Sequence, residues 1–247
     1  MRARASFARV ALVATATAAI AVALAGCTPP TQPPGPVGPL VATEAPSPTS
    51  TAGAVPLPSV EVTSYRGKRL DPVIALHENS IKGPQRIDHG TYRLRVDGMV
   101  KRPLTLTYDQ VLARQPNYAK IVTLNCVEGW SVTFLWQGVL VRDLLNDAGV
   151  EPGAKVVIFK AHDGYTDAFP IDYFTKRDIV MAYRENGVPL TAEWGWPFQL
   201  VAEDKWGYKW VKWIEEIQVS ADGNYRGYWE QRGYSKDGSL TKAFVGP

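Results

Sequence analysis

The chain has 247 residues, room for one or two domains at roughly 100–200 residues each and too few for a large modular machine. Its 27 Lys+Arg exceed its 24 Asp+Glu by three. Arg2, Arg4 and Arg9 account for that surplus, so the remainder offers no electrostatic case for nucleic acid or an anionic surface. An apolar share of 45% with 11% aromatics excludes disorder throughout, and two cysteines exclude a disulfide framework or a multi-cysteine metal site.

Three arginines precede an uncharged apolar run from Val10 to Ala25. Its length suits a signal-peptide core and falls short of the roughly 20 residues a membrane span needs. The run ends Leu24-Ala25-Gly26-Cys27, which looks like a bacterial lipobox: small residues before the cut, and a thiol at Cys27 to carry lipid. An ordinary cleaved signal with an incidental cysteine is the alternative. Arg2-Ala3-Arg4 is not the twin-arginine pair of folded-protein export. Residues 28–58 follow with ten of the 19 prolines, a composition that cannot bury a core and favours extended chain. They read as a stalk between membrane and domain, with a proline-rich partner motif as the alternative. The expected division is therefore 1–27 lipoprotein signal, 28–58 linker and 59–247 folded domain, on the extracytoplasmic face of a cell membrane.

Within the domain, Tyr92 to Val96 alternates with period two and Asp97-Gly98 supplies a turn, which predicts a strand. Thr107-Tyr108-Asp109-Gln110 is a capping-box pattern opening a short helix through Arg114. Ile121 to Leu124 is rich in β-branched residues and reads as a buried strand that delivers Cys126. Leu140, Leu144, Leu145 and Ala148 share a helical face that Gly149 ends. Lys155 to Lys160 and Ile179 to Tyr183 are further strands. Val211, Trp213, Ile217 and Val219 share the parity of a last long strand, with Glu215 as the exception. The class expected is α+β, mostly β.

Three segments carry chemistry-bearing residues. In Asn125-Cys126-Val127-Glu128-Gly129-Trp130-Ser131 a thiol leaves a strand beside a glycine turn. With Cys27 lipidated, Cys126 has no disulfide partner; it is either a buried small hydrophobe or a used thiol. Lys205-Trp206-Gly207-Tyr208-Lys209-Trp210-Val211-Lys212 repeats lysine around a glycine, either a phosphate cradle or an aromatic strand with solvated lysines. Glu78-Asn79-Ser80-Ile81-Lys82-Gly83 is a polar loop before the first strand. A thiol-nucleophile enzyme would need an activating histidine, and none of His77, His89 and His162 adjoins Cys126.

Together these segments resemble the sulfite-oxidase family of molybdopterin-dependent oxidoreductases. The likeness runs in order through Tyr92 to Gly98, Arg102 to Leu106, Cys126 to Ser131, Trp136 to Val139, Asp163-Gly164-Tyr165, Asn186 to Leu190 and Gly207 to Lys212. The resemblance implies the sulfite-oxidase-type fold as a single domain without the C-terminal immunoglobulin-like dimerisation domain, and hence a monomer. It implies a molybdenum–molybdopterin cofactor whose metal is ligated by Cys126, a soft anionic sulfur suited to such a metal. By the same matching Asn79 and Ile81 border the pterin, Gly207, Tyr208 and Lys209 hold its phosphate end, and Lys212 lies near.

Departures from the family pattern shape the expectations. Gln199 stands where the family usually has arginine, and Trp194 where it has histidine or asparagine. Lys205, Lys209 and Lys212 would then have to supply the phosphate grip, although lysine does not reproduce a bidentate guanidinium. Glu78 replaces the arginine that true sulfite oxidases use for their anion, which disfavours sulfite. His162 is a candidate for contact with substrate, and Glu128 for orienting the turn. The resemblance thus implies an oxidoreductase performing oxygen-atom or electron transfer on a small-molecule or protein-bound substrate. A separate haem-bearing or quinone-linked membrane partner would exchange the electrons. The alternatives are a methionine sulfoxide repair enzyme and a cofactor-free binding or scaffold lipoprotein on the same fold.

Overall fold

The computed structural model describes residues 60–74, 78–114 and 116–246. The lipobox with Cys27, the stalk at 28–58 and His77 lie outside the described residues. The first described strands form a small hairpin, β1 (Ser64–Tyr65) with β2 (Lys68–Arg69). Next come β3 (Leu94–Gly98), β4 (Leu104–Leu106), helix α1 (Tyr108–Leu112), β5 (Tyr118–Asn125), β6 (Ser131–Leu140) and helix α2 (Val141–Ala148). The chain continues through β7 (Val156–Ala161), β8 (Thr166–Pro170), helix α3 (Asp172–Thr175), β9 (Val180–Glu185), β10 (Val188–Pro189), β11 (Gln199–Leu200) and β12 (Ile214–Ser220). All belong to one compact unit, Gly53–Pro247.

Two five-stranded sheets carry the domain. One has the order β10-β9-β6-β5 with β11 also on β9, and the other the order β4-β3-β12-β7-β8. Pairing is antiparallel except where β12 runs parallel to β3. Short strands outnumber helices, as the α+β, mostly β reading predicts. One buried cluster joins Leu94, Val96, Phe159 and Ile217 of one sheet to Phe134, Trp136, Val139 and Met181 of the other.

The local signals act through identifiable contacts. Thr107 caps α1 through Oγ1, which accepts from the Gln110 N–H, while the Gln110 side chain accepts from the Thr107 N–H. Helix α2 buries Val141, Leu144, Leu145 and Ala148 on one face, and Gly149 ends it in the left-handed conformation at φ 69°. Burying each larger side chain of that face contributes about 1.5–3 kcal/mol.

Two strand expectations need correction. The segment at Ile121 to Leu124 lies on β5, the edge strand of its sheet. Ile121 and Val122 are half-buried and only Leu124 is buried, because one flank of an edge strand has no neighbour. The last strand begins at Ile214 rather than Val211, after Trp213 takes φ 49°. Glu215 breaks the parity because it is the extra residue of a β-bulge: Ile214 pairs with Ala161 and Glu216 already with Lys160.

Candidate functional site

Strand β5 ends at Asn125, and the chain turns at once. The Cys126 N–H donates to the Trp130 carbonyl at 2.9 Å and the Gly129 N–H to the Cys126 carbonyl at 3.1 Å. Gly129, at φ 89°, supplies the positive φ this turn requires. The turn leads into β6 and leaves Cys126 buried, with Sγ 4.0 Å from Glu128 Oε2. Trp130 Nε1 donates to the same carboxylate oxygen at 3.1 Å, which fixes Glu128 beside the thiol. Burial pushes the Cys126 thiol above its ordinary value, the Glu128 charge adds to this, and neighbouring main-chain N–H groups oppose it. A cationic metal reverses that preference by binding the thiolate.

The second segment lands against the first. Asn125 and Trp206 form an isolated parallel bridge, after which Gly207–Lys209 makes one turn of 3-10 helix. The thiol turn and the glycine–tyrosine–lysine turn thus share a wall of one cavity of about 210 Å³. Asn79, Ser80 and Ile81 of the polar loop line it too, as do Asp163, Trp194, Gln199 and Lys212. Of the residues expected at the site, the structure brings together Cys126, Asn79, Ile81, Gln199, Gly207, Tyr208 and Lys212.

Lys212 is the cation of this cavity. Its ammonium donates to the Glu193 carbonyl at 2.6 Å, stands 3.7 Å from Glu78 Oε1, and lies over the rings of Trp194 and Trp213. Burial lowers its pKa, and Glu78 opposes the fall. Glu78 therefore stands behind Lys212 as its counter-charge.

Three expected site residues face elsewhere. His162 is 43% exposed and its Nδ1 lies 2.6 Å from Glu215 Oε1, because the bulge turns Glu215 toward it. Lys205 donates to the Asp237 carbonyl at 2.7 Å and to its carboxylate at 2.8 Å. Lys209 is buried among Asp167, Glu230 and two main-chain carbonyls. None of the three lines the cavity. A carboxylate holds each of the three away from it, and among the described residues Lys212 is the lysine that lines the cavity.

Other lining residues had no role assigned from the sequence, Asp163 having entered only as part of the family likeness. Asp163 is buried with Oδ1 accepting the Tyr165 N–H at 2.8 Å, and burial pushes its carboxyl up. Its Asp-Gly turn was the available signal. Trp229 and Tyr234, which also line the cavity, come from a stretch without helical or strand periodicity and had none.

The polar atoms left over describe what the cavity is built to hold. Gln199 is 0% exposed, yet neither Nε2 nor Oε1 has a partner among the described residues; the same holds for Trp194 Nε1 and Ser80 Oγ. Each unmade bond costs about 1–3 kcal/mol, and all four atoms belong to lining side chains. A polar ligand with both donors and acceptors satisfies them, and a pterin with a phosphate has this character. The residues present fit a molybdopterin.

Comparison with known proteins agrees. A family model described as the oxidoreductase molybdopterin binding domain matches residues 81–229. The "Uncharacterized oxidoreductase YuiH" of Bacillus subtilis is 36% identical over 164 residues, covering 66% of this chain and 81% of that one. The "Putative protein-methionine-sulfoxide reductase subunit YedZ1" of Azospira oryzae is 31% identical over 151 residues, 61% of this chain and 57% of that one. Among solved structures, the sulfane dehydrogenase SoxCD of Paracoccus pantotrophus shares the fold with a TM-score of 0.56 at 23% identity, covering 63% of this chain and 43% of that one.

Proposed function

The chain belongs to the oxidoreductase molybdopterin-binding domain family, and on that premise we propose that it is an extracytoplasmic, lipid-tethered enzyme whose molybdenum is held by Cys126. Its cofactor is molybdenum carried by molybdopterin, which supplies oxygen-atom or electron transfer when bound. The observation that carries the reading is one cavity with the Cys126 thiol in its wall beside the unpartnered polar atoms of Gln199, Trp194 and Ser80.

The chain's own residues would divide the work. Cys126 offers the sulfur, Glu128 orients the turn through Trp130, and Asn79, Ile81, Gln199, Gly207 and Tyr208 border the organic part. Lys212 offers the phosphate or a reacting oxygen its positive charge. The aromatic rings around the cavity exclude water, which strengthens every charge inside. Glu128, in the wall beside the thiol, makes that end of the cavity unfavourable for a sulfite anion. A neutral sulfoxide meets no such repulsion: with two electrons and two protons it yields a thioether and water. The likeness to YedZ1 supports methionine sulfoxide as that substrate. The electrons would come from a separate electron-transfer protein or quinone-linked membrane partner.

Molybdenum and pterin analysis of protein made in a molybdopterin-competent host tests the reading. About one of each per chain is expected, with loss of the metal in Cys126→Ser. Full metal content in folded Cys126→Ser would remove Cys126 as ligand. Reduction of methionine sulfoxide by reduced viologen tests the substrate, and failure of metal-loaded protein to perform it ends that part. Cys27→Ala is expected to release the protein from the membrane fraction; unchanged membrane association would refute the tether.

A further inference from the structure

Lys209 has no free donor for the cavity. Its side chain and those of Asp167 and Glu230 are 1%, 2% and 1% exposed. Its ammonium donates to Asp167 Oδ1, to Glu230 Oε1 at 2.7 Å, and to the carbonyls of Ala168 at 3.1 Å and Lys236 at 3.2 Å. Four acceptors for three protons leave nothing to share. Two of these acceptors belong to residues 226–238, which follow the last strand and extend beyond the matched family region.

That segment is drawn in closely at other points. Tyr208 donates its hydroxyl to the Ser235 carbonyl at 2.6 Å, and the Trp206 N–H donates to the Gly238 carbonyl at 2.8 Å. A Cβ on Gly238 would stand 2.5 Å from Lys209 Cγ, so the chain passes directly over the lysine stem. Trp229, next to Glu230, and Tyr234 turn inward to line the cavity, with ring centroids 4.9 Å apart.

We propose that Lys209 is a positioning residue: through Glu230 it latches residues 226–238 over the cavity, and the Trp229 and Tyr234 carried there set which substrates enter. The ammonium acts on the wall, not on the cofactor. The inference rests on the reading of the cavity as the enzyme's reaction site, but its first two readouts need no turnover.

The test compares the full-length holoenzyme with Glu230→Ala, with Glu230→Gln as the conservative variant, and with Tyr234→Ala. In Glu230→Ala, amide exchange of residues 226–238 is expected to rise at least tenfold while molybdenum per chain stays within about 20% of wild type. Glu230→Gln is expected to restore exchange to within threefold. With reduced viologen as donor, Glu230→Ala is expected to change the ratio of KM for methyl phenyl sulfoxide to KM for dimethyl sulfoxide at least fivefold, with kcat within twofold. Tyr234→Ala, which leaves the cluster intact, is expected to shift that ratio without raising exchange, and keeps the test open if Glu230→Ala fails to fold. Unchanged exchange in folded Glu230→Ala overturns the latch. So does loss of molybdenum in both Glu230 variants without faster exchange, which would return Lys209 to the cofactor. Faster exchange with an unchanged KM ratio overturns the role in substrate entry. Loaded wild-type protein that reduces neither sulfoxide refutes the proposed reaction, while exchange and metal content still decide the latch.

Discussion

A Cβ placed on Gly207 would stand 3.3 Å from the Cα of Cys126. The glycine–tyrosine–lysine turn is thus packed directly on the backbone of the thiol turn in the wall they share. Gly207→Ala is expected to push the two apart, at an overpacking cost of about 1–3 kcal/mol. Thermal unfolding should show the loss, and molybdenum per chain should fall by more than half. Wild-type metal content in Gly207→Ala would mean that the two turns tolerate separation.

Gln199 makes opposite predictions for loaded and empty protein. Its amide is fully buried without partners, so Gln199→Leu should raise the stability of cofactor-free protein by about 1–3 kcal/mol. The same change should lower pterin retention, because the ligand loses those bonds. Denaturant unfolding of the empty chain and pterin extraction from the loaded one measure the two effects separately.

Asp167 gives the buried cluster a pH dependence. Burial, opposed by Lys209, pushes its carboxyl from the ordinary 3.8 up to about 7. Between these values the folded protein holds a proton that the unfolded chain does not, so stability falls as pH rises from about 4 to about 7. Asp167→Asn should flatten that slope. Chemical denaturation at several pH values checks it, and a wild-type slope retained in the variant would contradict the assignment.

Asp237 acts with the opposite sign. Hydrogen bonds from Lys205 and Lys242 hold its carboxyl down to about 2. Its contribution is present above the unfolded value near 4 and is lost as pH falls toward 2. Lys205→Met should therefore weaken the attachment of residues 235–242 at neutral pH and leave it nearly unchanged at pH 2. Amide exchange at the two pH values reads the difference.

Much of the fold was legible because its signals are local. The capping box at Thr107 and the stop at Gly149 depend on contacts within one turn, and the pattern around them already contains both partners. Cys126 and Gly207 were legible only as a pair, through family likeness, since nothing local brings two distant turns together. The lysines misled for a physical reason: a lysine near a glycine reads as an anion donor until its carboxylates are known. Those of Lys209 lie on β8 and on Glu230, in segments remote from it. Trp229 and Tyr234 are held by ion pairs and main-chain carbonyls rather than by a repeating apolar face, so no periodicity announces them. The bulge at Glu215 left a trace, a single break in parity, but its meaning required the register with β7.

Asn79 and Tyr234 stand in the walls of the same cavity although almost the whole domain lies between them in sequence. In the proposed site a cofactor would touch residues from both ends of the domain at once, so it would bind the finished fold and stabilise it by mass action. Loading therefore works as a fastening across the entire domain. A loaded molecule drawn end-first through a narrow channel would have to surrender its cofactor, whereas one moved as a folded body would carry it across.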